Sequence, residues 1–315
     1  MVHVSVTYPD NLEYNDSLRL DKKLGEGKFS VFQVYSAYRR TSYALKVFPA
    51  NALGSALYKK EQLVSRFSHP NIIKSVPIVP QEATQEDDCL FSLTEIAKFG
   101  DFFDVVNEAM LNNNEVIIRT YMHQLVEGIE HMHSQGVAHL DLKLENMMLG
   151  ANFQLKVIDF DQSQMLSDDF IESRGTAHYR APEMINGKSN DFAAADIYSM
   201  GVILFALMVG EFPFLERKAE GGKASIDFAQ FVNDNKAFWE SKANPEGGNF
   251  FTEEFIELVN GMLNFDPERR IKIKEIKASK WYNGAILDPK NLKQEMNQKY
   301  NSVMRRREQQ NPISN

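Results

Sequence analysis

Four residues near the middle of the chain have the types and spacing for chemistry. The stretch VAHLDLKLENMMLG, residues 137–150, holds Asp141, Lys143 and Asn146, and QLKVIDFDQS places Asp159 directly after an apolar run. Asn146 and Asp159 offer oxygen donors to a hard cation such as Mg²⁺, which takes few protein ligands and keeps phosphate oxygens in the rest of its shell. Asp141 is placed to orient a hydroxyl and accept its proton, and Lys143 to offset charge on a transferred group. Acid, cation and amide at this spacing point to phosphoryl transfer.

A phosphate-bearing ligand also needs a cradle. In LGEGKFSVF, residues 24–32, Gly25 and Gly27 let the backbone approach a ligand without obstruction by a Cβ. By itself a G-x-G in a hairpin is more often an ordinary turn. Lys46 lies in the apolar run YALKVF, where a buried lysine needs an anionic partner. Glu61, in the following segment, can supply one.

The elements that must hold these residues divide the chain. RLDKKLGEGKFSVFQVYSAYRRTSYALKVF reads as strands joined by turns, SALYKKEQLVSRF as a helix, and PNIIKSVPIV and DDCLFSLTEI as two further strands. From Asp101 the pattern becomes helical. EVIIRTYMHQLVEGIEHMHSQG has helical periodicity, with Gly136 set to end it. FAAADIYSMGVILFALMVG reads as a helix buried all round, EEFIELVNGMLN and IKEIKASKWY as later helices. A small β-rich lobe ahead of a larger helical one leaves a cleft near residues 95–100, where ligands are favoured.

Composition narrows the partners. A formal net charge of -8 disfavours a general nucleic-acid surface and favours basic partners. The longest apolar run is too short for a membrane span, and no secretory signal is expected at the start. One cysteine, Cys89, fits a reducing compartment, so the expected location is cytoplasmic, with the nucleus as the alternative. His131 and His133 read as helix-end histidines, since residues two apart do not face one another on a helix.

Taken in order, the glycine loop, Lys46, HLDLKLEN, DFD, GTAHYRAPE, DIYSMG and DPERRI resemble the eukaryotic protein kinases from about residue 18 to 282. The resemblance implies an α+β, bilobal protein-kinase fold. Its N-lobe would be residues 18–98 and its C-lobe 99–282, between an N-terminal extension (1–17) and a tail (283–315). It implies ATP and Mg²⁺ as cofactors. By the same resemblance Lys46 would bind the α- and β-phosphates and pair with Glu61. Asp141 would be the catalytic base, Lys143 the γ-phosphate contact, and Asn146 and Asp159 the metal ligands. Glu95 to Ala97 would form the adenine-binding hinge behind Thr94, with Ala44 above the base and Met148 below it. Glu183 and Arg270 would brace the large lobe, and Asp196 would hold the catalytic-loop backbone. Lys143, with Thr176 before A-P-E, is similar to serine/threonine kinases, closest to the calcium/calmodulin-regulated and AMP-activated branch. Asp101 and Glu145 would then receive an arginine three residues before the target hydroxyl, the alternative being a helix cap and an exposed acid.

Four positions depart from the pattern. Leu140 replaces the arginine of H-R-D, and Glu172 stands where a phosphorylated activation-loop residue would pair with it, so activity is expected not to depend on that phosphate. Asp161 replaces the glycine of D-F-G and is expected to take the positive φ that glycine eases. Phe32 replaces a valine of the adenine roof and is expected to narrow the pocket, while Ser30 replaces the third loop glycine. Glu61 lies one residue nearer His69 than is usual; a deletion after the helix preserves the Lys46–Glu61 pair, whereas the usual register would turn Lys60 inward. These departures keep a second reading open, a pseudokinase acting as an interaction module. The tail LDPKNLKQEMNQKYNSVMRRREQQ reads as an amphipathic helix docked on the domain, or on a partner such as calmodulin.

Overall fold

The computed structural model describes residues 3–26, 29–49, 51–79, 90–111, 114–169, 175–186, 191–214, 226–243 and 251–310. Alternating apolar residues build one antiparallel sheet from β1 (His3–Tyr8), β2 (Asn11–Glu26), β3 (Ser30–Ser36), β4 (Thr41–Phe48) and β5 (Leu90–Thr94), ordered as in the sequence. Opposed pairs fix its register, with Lys46 between Val31 and Ser92, and Ala44 between Gln33 and Thr94. Helix α1 (Ala52–Leu63) packs on this sheet, its first turn capped by Asn51 Oδ1 accepting from the Gly54 amide at 2.8 Å.

β1 lies outside the strands expected from the sequence. Its Val6 and Tyr8 are buried with Leu18, Val34, Leu45 and Leu93. Buried Asp16 accepts the Tyr8 hydroxyl at 3.0 Å and the Ser36 hydroxyl at 2.5 Å, tying β1, β2 and β3 together. The run PNIIKSVPIV, expected as a strand, forms only single bridges, Ile72 with Val157 and Ser75 with Thr94. Pro77 has no amide proton to donate, so a continuous ladder cannot pass through it. The segment nevertheless joins the two edges of the sheet. Val76 donates to the Leu93 carbonyl of β5, and Val79 to the Thr7 carbonyl of β1, both at 2.8 Å.

The helical lobe contains α2 (Phe102–Asn107), α3 (Glu115–Ser134), α4 (Pro182–Asn186), α5 (Phe192–Val209), α6 (Ile226–Asn233), α7 (Asn235–Lys242), α8 (Glu253–Met262), α9 (Ile273–Ala278) and α10 (Pro289–Gln310). α3 ends where Gly136 takes a φ of 76°. α5 is buried on nearly every side, which accounts for its predominantly apolar sequence. Two short antiparallel pairs, β6 (Val137–Ala138) with β9 (Gln164–Met165) and β7 (Met147–Leu149) with β8 (Leu155–Val157), frame the loop that holds Asp141 and Asn146. The small sheet followed by this helical lobe is the bilobal α+β arrangement expected from the sequence.

α10 docks on the large lobe through Leu292, Met296 and Val303, which join its core. Tyr300 meets the rings of Phe99 and Phe153 at 5.2 and 5.9 Å, and Arg307 pairs with Glu108 at 2.7 Å. The apolar face of the tail is therefore occupied within the chain itself.

Candidate active site

Strand β4 carries Lys46 toward the large lobe. Its Nζ lies 3.0 Å from Glu61 Oε2 of α1 and 2.5 Å from Asp159 Oδ1. Glu61, not Lys60, thus faces the lysine. Burial pulls the Lys46 pKa down, but the carboxylates of Glu61 and Asp159 outweigh it and hold the ammonium above its ordinary value.

The loop after β6 is fixed from beneath by Asp196 of α5, which is fully buried. Its carboxylate accepts the amides of His139 and Leu140, each at 2.8 Å, and meets His133 Nε2 at 2.8 Å. His139 spans the loop: Nδ1 accepts the Asp141 amide at 3.2 Å, which leaves Nε2 to donate to the Ile158 carbonyl at 3.0 Å. Asp141 is thereby locked beside the strand leading to Asp159.

Asp141 stands at the centre of a polar cluster. Oδ1 accepts the Thr176 amide at 2.8 Å and the Thr176 hydroxyl at 2.9 Å. Lys143 Nζ lies 3.1 Å from Asp141 Oδ2 and donates to Thr176 Oγ1 at 3.0 Å. Asn146 Nδ2 donates to the Asp141 carbonyl at 2.8 Å and to Oδ2 at 3.2 Å. The Ile158 amide donates to the Asn146 carbonyl at 3.0 Å, placing Asn146 next to the segment that bears Asp159.

This donor set suits Mg²⁺. The Asn146 amide makes these two bonds through its nitrogen, and its oxygen is a hard donor of the kind Mg²⁺ takes. No three carboxylate, imidazole or thiol groups converge as a metal site among the described residues. A cation held by Asn146 and Asp159 would therefore complete its shell with phosphate and water oxygens.

The cleft wall follows from the sheet register. Thr94 ends β5 opposite Ala44, and Met148 of β7 bridges Asp101. The Glu95 amide donates to the Lys74 carbonyl at 2.9 Å, Ala97 packs against the large-lobe core, and the Phe99 amide donates to the Leu149 carbonyl at 3.0 Å. Asp101 caps α2, Oδ1 accepting the Asp104 amide at 2.8 Å. Burial, with the nearby Asp104 and Glu145 charges, pushes the Asp101 pKa up, although bonds from the Asp104 and Phe103 amides pull the other way. Glu145 is exposed.

Deeper in the large lobe, Arg270 meets Glu183 through two bonds of 2.6 and 2.9 Å. It also donates to the Ala194 carbonyl at 2.7 Å and the Asn264 carbonyl at 2.9 Å. Four of the five guanidinium N–H donors are thus matched, as a buried ion pair needs; losing one partner of such a pair costs about 3–5 kcal/mol.

One expectation needs correction. Asp161 does not take the left-handed conformation; that falls on Asp159, with a φ of 63°. The backbone reverses two residues earlier, and the buried Asp161 side chain instead accepts from Gln162 Nε2 at 2.8 Å. Phe32 is partly buried against the small-lobe core. Leu140 has a φ of 64° and joins the large-lobe core, filling with hydrocarbon the place of the expected arginine. A Cβ built on Gly25 would meet nothing within 4 Å. Gly27, Cys89 and Glu172 lie outside the described residues.

Sequence reasoning passed over the anchoring roles of His133 and His139, the Lys156 contact to Glu95 at 2.7 Å, and Arg180. For His139 a signal existed: an acceptor two residues before Asp141 can bond its amide. The His133–Asp196 and Lys156–Glu95 contacts join positions distant in sequence, which periodicity does not reveal.

The profile of the family described as "Protein kinase domain" matches residues 18–282. CBL-interacting protein kinase 26 of Oryza sativa subsp. japonica is 32% identical over 280 residues, covering 85% of this chain and 52% of the rice protein. Serine/threonine-protein kinase SIK1 of Rattus norvegicus is 29% identical over 292 residues, covering 88% of this chain and 34% of the rat protein. Serine/threonine-protein kinase SIK2 of Gallus gallus is 29% identical over 278 residues, covering 83% of this chain and 31% of the chicken protein. The chain thus spans about half the length of the first relative and about a third of the other two.

Proposed function

Because this chain belongs to the protein kinase domain family, we propose that it is an active serine/threonine kinase, transferring the γ-phosphoryl group of ATP to hydroxyls of protein substrates. One observation carries this reading. Asp141, Lys143, Asn146 and Thr176 form a single bonded cluster, tied through Ile158 to the Asp159 that also contacts Lys46.

In this reading Lys46, held by Glu61, grips the α- and β-phosphates. Asn146 and Asp159 hold Mg²⁺, which when bound supplies positive charge to the phosphates. Asp141 Oδ2 orients the substrate hydroxyl and takes its proton as the oxygen bonds to phosphorus and the bond to ADP breaks. Lys143 balances charge on the transferred group. The backbone of Glu95 to Ala97 binds adenine, between Ala44 and Met148 and beside Thr94. Asp101 and Glu145 receive an arginine three residues before the target, in keeping with the acidic chain. With Leu140 in the core, hydrocarbon stands where an arginine would hold an activation-loop phosphate, and in this reading activity is independent of that modification.

Turnover of Mg²⁺·ATP on an arginine-containing peptide library, beside the Asp141→Asn variant, tests the proposal. Wild type is expected to exceed the variant by at least about 10³-fold. Equal background rates would instead favour an interaction module that signals by conformation.

A further inference from the structure

The small-lobe sheet is closed on itself. Val76 bonds to β5 at one edge and Val79 to β1 at the other, so the five strands and residues 74–79 form a small barrel. Closed barrels take ligands at their mouths. Here one mouth lies where β1, β3 and β5 end, and it holds a cavity of about 390 Å³. Its lining comprises the turn after β1 (Pro9, Asp10), the turn after β3 (Arg39), Tyr43, residues 74–77 and Glu95. Only Glu95 among them enters the mechanism above. A cavity of this volume suits a small molecule.

The charges in the lining are unevenly engaged. Glu95 already meets Lys156 at 2.7 Å and the Lys74 amide at 3.0 Å, and Asp10 meets Arg39 Nη2 through both oxygens, at 2.8 and 2.7 Å. The cations keep capacity. Lys74 is exposed, and its ammonium has no ion pair among the described residues. Arg39 gives Asp10 one nitrogen only, and its Nε is buried without an acceptor, an unmet donor of a kind native structures rarely keep. The Asp10 side chain is 66% exposed, so this pair is weak and open to exchange. Arg39 is also held in place, its guanidinium lying 4.1 Å from the centroid of the fully buried Tyr8 ring. A planar fork fixed on a ring loses little freedom when an anion arrives. Tyr43 adds a neutral donor. Burial raises its hydroxyl pKa more than the charge and hydrogen bond of Arg39 lower it, so the O–H stays protonated at neutral pH. Pro9, Val76 and Pro77 supply hydrocarbon around these groups.

We propose that this barrel mouth binds a small organic anion, a single carboxylate or phosphate head on an apolar body. The head lies against Arg39 and Lys74, and the body against Pro9, Val76 and Pro77. The site is independent of phosphoryl transfer, so failure of one reading leaves the other standing.

Fluorine NMR titration of the full chain tests it. The probes are fluorophenylpropionate and fluorophenyl phosphate, beside the uncharged fluorophenylpropanol for the body alone and inorganic phosphate for the head alone. Saturable binding of at least one organic anion is expected, and the tighter of the two identifies the head group. The propanol and inorganic phosphate should each bind at least about tenfold more weakly, the order of effect of one charge-assisted contact. Lys74→Gln, at an exposed position, and Arg39→Lys, which keeps a charge for Asp10 but not the planar fork, are each expected to weaken the anion about tenfold. Neither residue belongs to the machinery assigned above, so these losses place the binding outside the nucleotide cleft. Affinity unchanged in both variants overturns the proposal. So does equal binding of the propanol or of inorganic phosphate, or no saturable binding of either organic anion. Should Arg39→Lys fail to fold, Lys74→Gln alone decides.

Discussion

Glu95 Oε1 lies 2.7 Å from Lys156 Nζ of β8 and accepts the Lys74 amide at 3.0 Å. One carboxylate at the cleft wall therefore joins the small-lobe edge to the strand behind Met148. The glutamate is partly exposed, and such pairs contribute roughly 0–1 kcal/mol. Lys156→Met is accordingly expected to raise the KM for ATP no more than about fivefold and to leave kcat within about twofold. Steady-state kinetics at varied ATP check this.

The Lys46–Glu61 pair should matter far more, because both side chains are largely buried and the lysine also faces Asp159. The Lys46 pKa is raised in the fold, so the stability it contributes is complete below the unfolded lysine value. It is lost only as pH climbs through the higher folded value, and activity between pH 6 and 9 should show no step from this group. Glu61→Gln is expected to lower kcat/KM about 100-fold. Nucleotide titration followed by fluorescence reports whether the loss lies in binding.

Acidification should blunt arginine recognition before it harms the fold. The Asp101 carboxyl sits above its ordinary pKa, chiefly from burial. As pH falls it takes up a proton in the folded protein before an unperturbed aspartate would, and the charge facing an arginine is halved. Affinity for an arginine peptide relative to its alanine counterpart should fall on this descent, and Asp101→Asn should remove most of the trend. Anisotropy titrations from pH 7 to 4 measure it.

Restoring the missing arginine should not restore a phosphate switch. Leu140 lies in the large-lobe core, where an unpaired guanidinium is expensive. Leu140→Arg is expected to lower stability by about 2–4 kcal/mol, without creating dependence on activation-loop phosphorylation. Urea denaturation and activity after phosphatase treatment give the two readouts.

What could be read from sequence was what short spacing dictates. Asp141, Lys143 and Asn146 share one loop, and a lysine inside an apolar strand demands a carboxylate, which made Glu61 legible. Contacts between distant positions were not. His133 reaches Asp196 across 63 residues and Lys156 reaches Glu95 across the cleft wall, and neither spacing repeats. The reversal at Asp159 was misplaced onto Asp161 because residue type suggests conformation only where neighbours do not override it. β1 did leave a trace, the alternation of Val4, Val6 and Tyr8, but a strand is convincing only once its partner is known.

Residues 18–282, matched by the family profile, are fewer than the residues that hold one another in place. A shortened chain with those limits would lose Val6 and Tyr8 from one core and Leu292, Met296 and Val303 from another. It would bare an apolar furrow on the large lobe and open the seam of the upper sheet. Kinship marks the machinery, whereas solubility and integrity belong to a longer stretch whose two ends carry no family signature.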